Sequence, residues 1–118
     1  YRNAVAISGT DDDPVYQSNR YGMSAYRFAA PNGRYQVTLH FAEISSWSVR
    51  KGDRVFSVAL EGVRVLDRYD VLDAGTKYAA YSFEYETEVS DGLLDITFTG
   101  HTPDYAPMVS GIKVERIP

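Results

Sequence analysis

The chain has no cysteine, a single tryptophan, two histidines, and no run of basic residues longer than Arg50-Lys51. Each shortage excludes something. Without cysteine there is no disulfide framework and no thiolate metal site. His40 and His101 stand alone, without the clustered ligands a metal centre needs. A net charge of −4 and the lack of a basic stripe exclude a nucleic-acid footprint. No stretch approaches the ~20 apolar residues of a membrane-spanning helix. The G-x-S-x-G signature of a nucleophilic serine is missing, and helical periodicity is absent apart from a single turn near residues 14–20.

Aromatic residues and strand periodicity are abundant. The 118 residues are 44% hydrophobic and 24% charged, the balance of one globular domain spanning 1–118. Ten are Tyr and five Phe; Tyr pairs an apolar body with a polar tip, so it suits both sheet cores and wet binding surfaces. Tyr35, Val37, Leu39 and Phe41 alternate with polar residues, the period of a half-buried strand. The pattern repeats at Phe56, Val58 and Leu60, at Tyr81, Phe83 and Tyr85, at Leu94, Ile96 and Phe98, and at Ile112 and Val114. Shorter strands are expected around Tyr26 and Phe28, over 63–66 and over 69–72. Pro31-Asn32-Gly33, Glu61-Gly62 and Ser90-Asp91-Gly92 fall between these runs and read as tight hairpin turns. The fold predicted is all-β, an antiparallel β-sandwich of jelly-roll type. Leu39, Phe41, Phe56, Val58, Phe83, Ile96, Phe98 and Ile112 should share its core.

Two loops exceed hairpin length, residues 44–53 with Trp47 and residues 100–107 with Asp104 and Tyr105. Trp47 either folds back over the core or is displayed to a ligand. Both loops could lie at one end of the sandwich. Asp11, Asp12 and Asp13 offer oxygens to a hard cation but lack the spacing of a calcium loop, so a solvated cap is the simpler reading and no metal is assigned. Glu43, Asp53, Asp70, Glu84 and Glu86 could be combined into the carboxylate pair of a glycosidase, yet any chain with 16 acids yields such pairs by chance.

Longer motifs narrow the reading. Tyr16-Gln17-Ser18-Asn19-Arg20-Tyr21-Gly22, the strand from Gly33 through Phe41-Ala42-Glu43, Arg54-Val-Phe-Ser-Val58, and Ala106-Pro107 through Val114 occur in order. Together they resemble the landmarks of malectin-like domains. The resemblance implies a secreted or cell-surface, often bacterial, non-catalytic module that binds glucose-containing oligosaccharides or β-glucan-like polymers. It also implies frequent attachment to glycoside hydrolases, and no cofactor is expected. Carried over residue by residue, it implies ligand contacts at Tyr21, at Ser46 and Trp47 just after the Phe-Ala-Glu motif, at Asp104 or Tyr105, and at Tyr1. Where the family has adjacent aromatics, this chain has two serines and then Trp47. The family's segment before the Tyr16 motif is expected to be shortened or missing here. Aromatic plates would stack on the axial C–H face of a pyranose while carboxylate and hydroxyl groups satisfy its rim. Arg20 and Glu43, both in matching motifs, are expected to form an ion pair.

The alternative is a structural or assembly subunit of an extracellular filament or adhesin. Residues 3–8 form a candidate strand whose Val5 and Ile7 could complete a neighbouring copy's sheet, linking a homo-oligomer by strand exchange. 

Overall fold

The computed structural model describes Tyr1, Ile7 and residues 13–17, 20–21, 24–45, 49–74, 77–102 and 105–118. In chain order these form α1 (Asp13–Tyr16), β1 (Arg20–Tyr21), β2 (Ala25–Ala29), β3 (Gly33–Phe41), β4 (Phe56–Leu60), β5 (Val63–Tyr69), β6 (Tyr81–Val89), β7 (Leu93–Gly100), β8 (Met108–Val109) and β9 (Gly111–Arg116). A four-stranded sheet in the order β2-β7-β4-β5 faces a three-stranded sheet in the order β6-β3-β9, and a short β1-β8 pair stands at one side. Every pairing is antiparallel. Among the described residues no helix is long and apolar enough to cross a membrane.

Period-two patterning sets which side chains meet. Leu39 is flanked by Phe83 on β6 and Ile112 on β9, and Ile96 lies opposite Leu60 across the other sheet. Val37, Leu39, Phe41, Phe56, Val58, Leu94 and Ile96 are fully buried in one cluster that also holds Phe98, with Phe83 and Ile112 packed against it. Large side chains of this kind each stabilise the fold by about 1.5–3 kcal/mol on burial. Phe41 joins the two sheets, its ring 5.7 Å from that of Phe56 and 6.2 Å from that of Phe83.

Three expectations are corrected. Only Glu61-Gly62 closes a hairpin, with φ of 51° and 79° joining β4 to β5. Residues 31–33 and 90–92 are corners that carry the chain between the sheets, and they are tied together. Ala30 N–H donates to the Gly92 carbonyl at 3.0 Å, and Gly92 N–H donates to Asn32 Oδ1 at 2.8 Å. A turn signal in sequence says that the chain reverses, and the partner strand is chosen by long-range packing. Secondly, 69–72 is not a strand of its own. Tyr69 ends β5, and Val71–Ala74 is a 3₁₀ turn whose start is capped by Asp70 Oδ1 accepting from Leu72 N–H at 2.9 Å. Thirdly, Ile7 is buried in its own chain, in a small cluster with Tyr16, Ala42 and Ile44, so this side chain is not presented to a neighbouring copy. Val5 lies outside the described residues.

Where β2 and β9 form the edges of their sheets, the sandwich gapes. Phe28 and Val114, opposite buried Leu94 and Val37, remain 39% and 38% exposed and line an apolar cleft of about 390 Å³ with Pro31, Tyr35 and Ile112.

Candidate functional site

At the end opposite the corners, β3 does not stop being buried where its ladder ends. Ala42, Glu43, Ile44 and Ser45 are all buried after Phe41, a break in alternation caused by loops closing over both faces of the chain. Glu43 is the centre of this end. Its Oε1 accepts from Arg54 Nε at 3.0 Å, its Oε2 accepts from Ser45 Oγ at 2.8 Å, and its carbonyl accepts from Tyr78 N–H at 3.0 Å. The Glu43 and Arg54 side chains are only 1% and 6% exposed. In so dry a place the charges persist only because each is paired and hydrogen-bonded.

From this pair two arms diverge. Arg54 Nη1 donates to the Ala106 carbonyl at 2.5 Å, and its guanidinium lies 5.6 Å from the centre of the Tyr105 ring. Thr102 Oγ1 donates to the Tyr105 carbonyl at 3.1 Å, and His101 N–H donates to the Val55 carbonyl at 2.9 Å. The 101–107 loop is thereby fastened to the strand that follows Arg54. On the other side, Lys77 Nζ donates to the Ser45 carbonyl at 2.5 Å and stands 5.1 Å from the Tyr78 ring centre. Tyr78 holds a left-handed φ of 57°, unusual for an aromatic residue and a form of local strain. These contacts clamp the stem from which residues 46–48 depart.

The two long loops therefore converge at one end through Glu43 and Arg54. Tyr105 sits there half-buried, over the guanidinium. Tyr1 is 40% exposed. Ser46, Trp47 and Asp104 lie outside the described residues, as does the Tyr21 side chain, although the Tyr21 backbone is placed in β1 opposite Met108. Asp11 and Asp12 also lie outside them.

Among the described residues, Glu43 pairs with Arg54; the side chain of Arg20, its expected partner, lies outside them. The signal was present in sequence, since Arg54 stands directly before the apolar run Val55-Phe56 within a recognised motif. Lys77 and Tyr78 carried no such signal. The remaining carboxylates weighed for catalysis have local duties. Asp53 Oδ2 accepts from Arg50 N–H at 2.9 Å, Asp70 Oδ2 from Gly52 N–H at 2.5 Å, and Glu86 from Arg34 at 2.6 Å on the exposed face of β6. His40 bonds Tyr16 and His101 bonds Ser57, each at 2.7 Å. Glu61, Asp91 and Asp95 bring carboxylate oxygens within 4.8 Å at the opposite end, where Asp95 is paired with Arg27.

The family model described as "Malectin domain" matches residues 2–111. Receptor-like protein 4 of Arabidopsis thaliana is 30% identical over 113 residues, covering 95% of this chain and 17% of the relative. Kinesin-like protein KIN-14E of Oryza sativa subsp. japonica is 31% identical over 121 residues, covering 93% and 11%. Among solved structures, Bacteroides uniformis β-glucuronidase superposes with a TM-score of 0.88 at 24% identity, covering 100% of this chain and 14% of the enzyme. The ANXUR2 extracellular domain of Arabidopsis thaliana superposes at 0.81 and 18% identity, covering 100% and 38%. The chain thus spans less than a fifth of the curated relatives it matches. With the family model matching nearly its whole length, the chain belongs to the malectin domain family.

Proposed function

We propose that this malectin domain is a non-catalytic carbohydrate-binding module that takes glucose-containing oligosaccharides or a β-glucan-like polymer at its loop end. Family membership carries the reading, and the convergence of the two long loops on one buried ion pair supports it. Tyr105, Trp47, Tyr21 and Tyr1 supply aromatic plates, and Asp104 and Ser46 supply rim contacts. Shallow wet sites of this kind bind in the micromolar to millimolar range, roughly −4 to −8 kcal/mol. The enzyme among the structural relatives is several times longer than its matched part, which suits an accessory role. Extracellular display follows the receptor-like relative and the ectodomain. The kinesin-like relative is the observation against it, and locating the tagged parent protein decides.

A glycan array on the purified domain tests the reading, followed by titration calorimetry and thermal melts of Trp47→Ala. Affinity should fall at least tenfold, about 1.4 kcal/mol, while stability changes by no more than about 0.5 kcal/mol. Lost stability with binding retained would make Trp47 a core residue. Incubation with α- and β-glucans should release no reducing sugar. Turnover that vanished on replacing Glu43, Asp53 or Asp104 would overturn the non-catalytic assignment.

A further inference from the structure

We propose that Arg54 is a positioning residue for ligand recognition, setting the orientation of the Tyr105–Ala106 arm at the loop end. The inference rests on the glycan-binding reading for its consequence, and on geometry alone for its mechanism. The Arg54 side chain touches both sides of this end. Its Nε is fixed by Glu43, the residue from which the 44–48 stem departs. Its Nη1 holds the Ala106 carbonyl, and its guanidinium carbon lies 5.6 Å from the centre of the Tyr105 ring. A guanidinium has donors in a rigid fork, so fixing one edge on a carboxylate fixes the direction of the others. The Glu43 end cannot drift, because its second oxygen is held by Ser45 Oγ and its carbonyl by Tyr78 N–H.

Tyr105 is half-buried, whereas the guanidinium beside it is almost wholly covered. Arg54 therefore acts through Tyr105 and the Ala106 backbone and does not itself contact sugar. Misplacing a stacking plate by an ångström weakens its contacts steeply. Arg54 should thus govern affinity out of proportion to its exposure. Lysine retains the charge but has no fork, so it can satisfy Glu43 without aiming at Ala106 and Tyr105 together.

The experiment compares wild type with R54M, R54K and E43Q/R54M, the last removing the carboxylate that R54M would leave unpaired. Binding is read by calorimetry on maltose, laminaribiose and cellobiose well below each melting temperature. The Ala106 amide and Tyr105 ring resonances are read by NMR without ligand. Expected are displaced Ala106 and Tyr105 resonances in R54M and in the double variant, at least tenfold weaker binding in both, and an intermediate loss in R54K. Where R54M fails to fold, the double variant carries both readouts. Unmoved resonances in a folded variant overturn the positioning role, as does affinity retained within twofold. If wild type binds none of the three sugars, the glycan reading fails for these probes, while the resonances still decide whether Arg54 positions the arm.

Discussion

The two ends of this sandwich solve the same problem by different means. At the corner end, short connections are held by hydrogen bonds in which most side chains remain near water. Asn32 caps Gly92, Tyr35 Oη donates to the Pro31 carbonyl at 2.5 Å, and Arg116 donates to the Asn32 carbonyl at 3.1 Å. At the loop end, long connections converge on a charge pair almost sealed from solvent. Backbone strain is present at both ends. Positive φ is taken at the corner end by Gly92 and by the pair Glu61-Gly62, and toward the loop end by Gly52 and by two non-glycine residues, Arg68 and Tyr78, with φ of 50° and 57°. Glycine adopts that conformation without steric cost and a larger side chain does not. A short turn can be closed by its own backbone; a long one has to be held from outside, and the holders must be buried to be rigid.

The contrast is sharpest where a holder is removed. Glu43→Ala should destabilise by about 3–5 kcal/mol, because Arg54 is left charged, buried and unpaired. Urea unfolding measures it, and a loss below about 1 kcal/mol would erase the difference between the ends. Asn32→Ala, at the corner, should cost about 1 kcal/mol for one hydrogen bond to an exposed turn. Arg34→Ala breaks an ion pair whose partners are each 59% exposed and should cost no more than about 0.5 kcal/mol. A larger loss there would mean that surface pairing contributes as much as the sealed pair.

A last distinction concerns pH. Burial raises the Tyr69 phenol well above its usual value, helped by nearby Tyr81 and Asp70. The folded state then holds its proton where the unfolded state has released it, so stability is intact below about pH 10 and falls as pH rises beyond that. Tyr69→Phe should flatten this alkaline fall and change little at neutral pH; an unchanged alkaline limb would refute the assignment.

Much of the fold was legible because strand period reports which side of a sheet a residue faces. Leu39, Phe56 and Ile96 could be assigned to the core from alternation alone. Partner choice is not written in period. Pro31-Asn32-Gly33 and Ser90-Asp91-Gly92 carry the same residue types as a hairpin, and only their mutual bonds reveal two corners. At the site, the motifs brought attention to Glu43 and to Tyr105. The described partner of Glu43 stands eleven positions away across a loop; its motif marks Arg54 as a candidate, but which carboxylate it meets is set by long-range packing. The clamp by Lys77 and Tyr78 was illegible for the same reason, since it joins segments more than thirty positions apart.

The position of β3 also fixes how the chain must fold in time. It is the central strand of its sheet, yet it pairs with β6 from Phe41 opposite Tyr81 back to Gly33 opposite Val89, and with β9 still farther along. Neither neighbour can arrive until a long loop has closed. The hairpin of β4 and β5, closed at Glu61-Gly62, forms from local contacts and can be ready first. Refolding followed by stopped flow should accordingly be slow, on the millisecond-to-second scale of non-local β proteins. Until β6 and β9 arrive, β3 presents two open edges to every other chain in solution, so yield on refolding should fall as protein concentration rises.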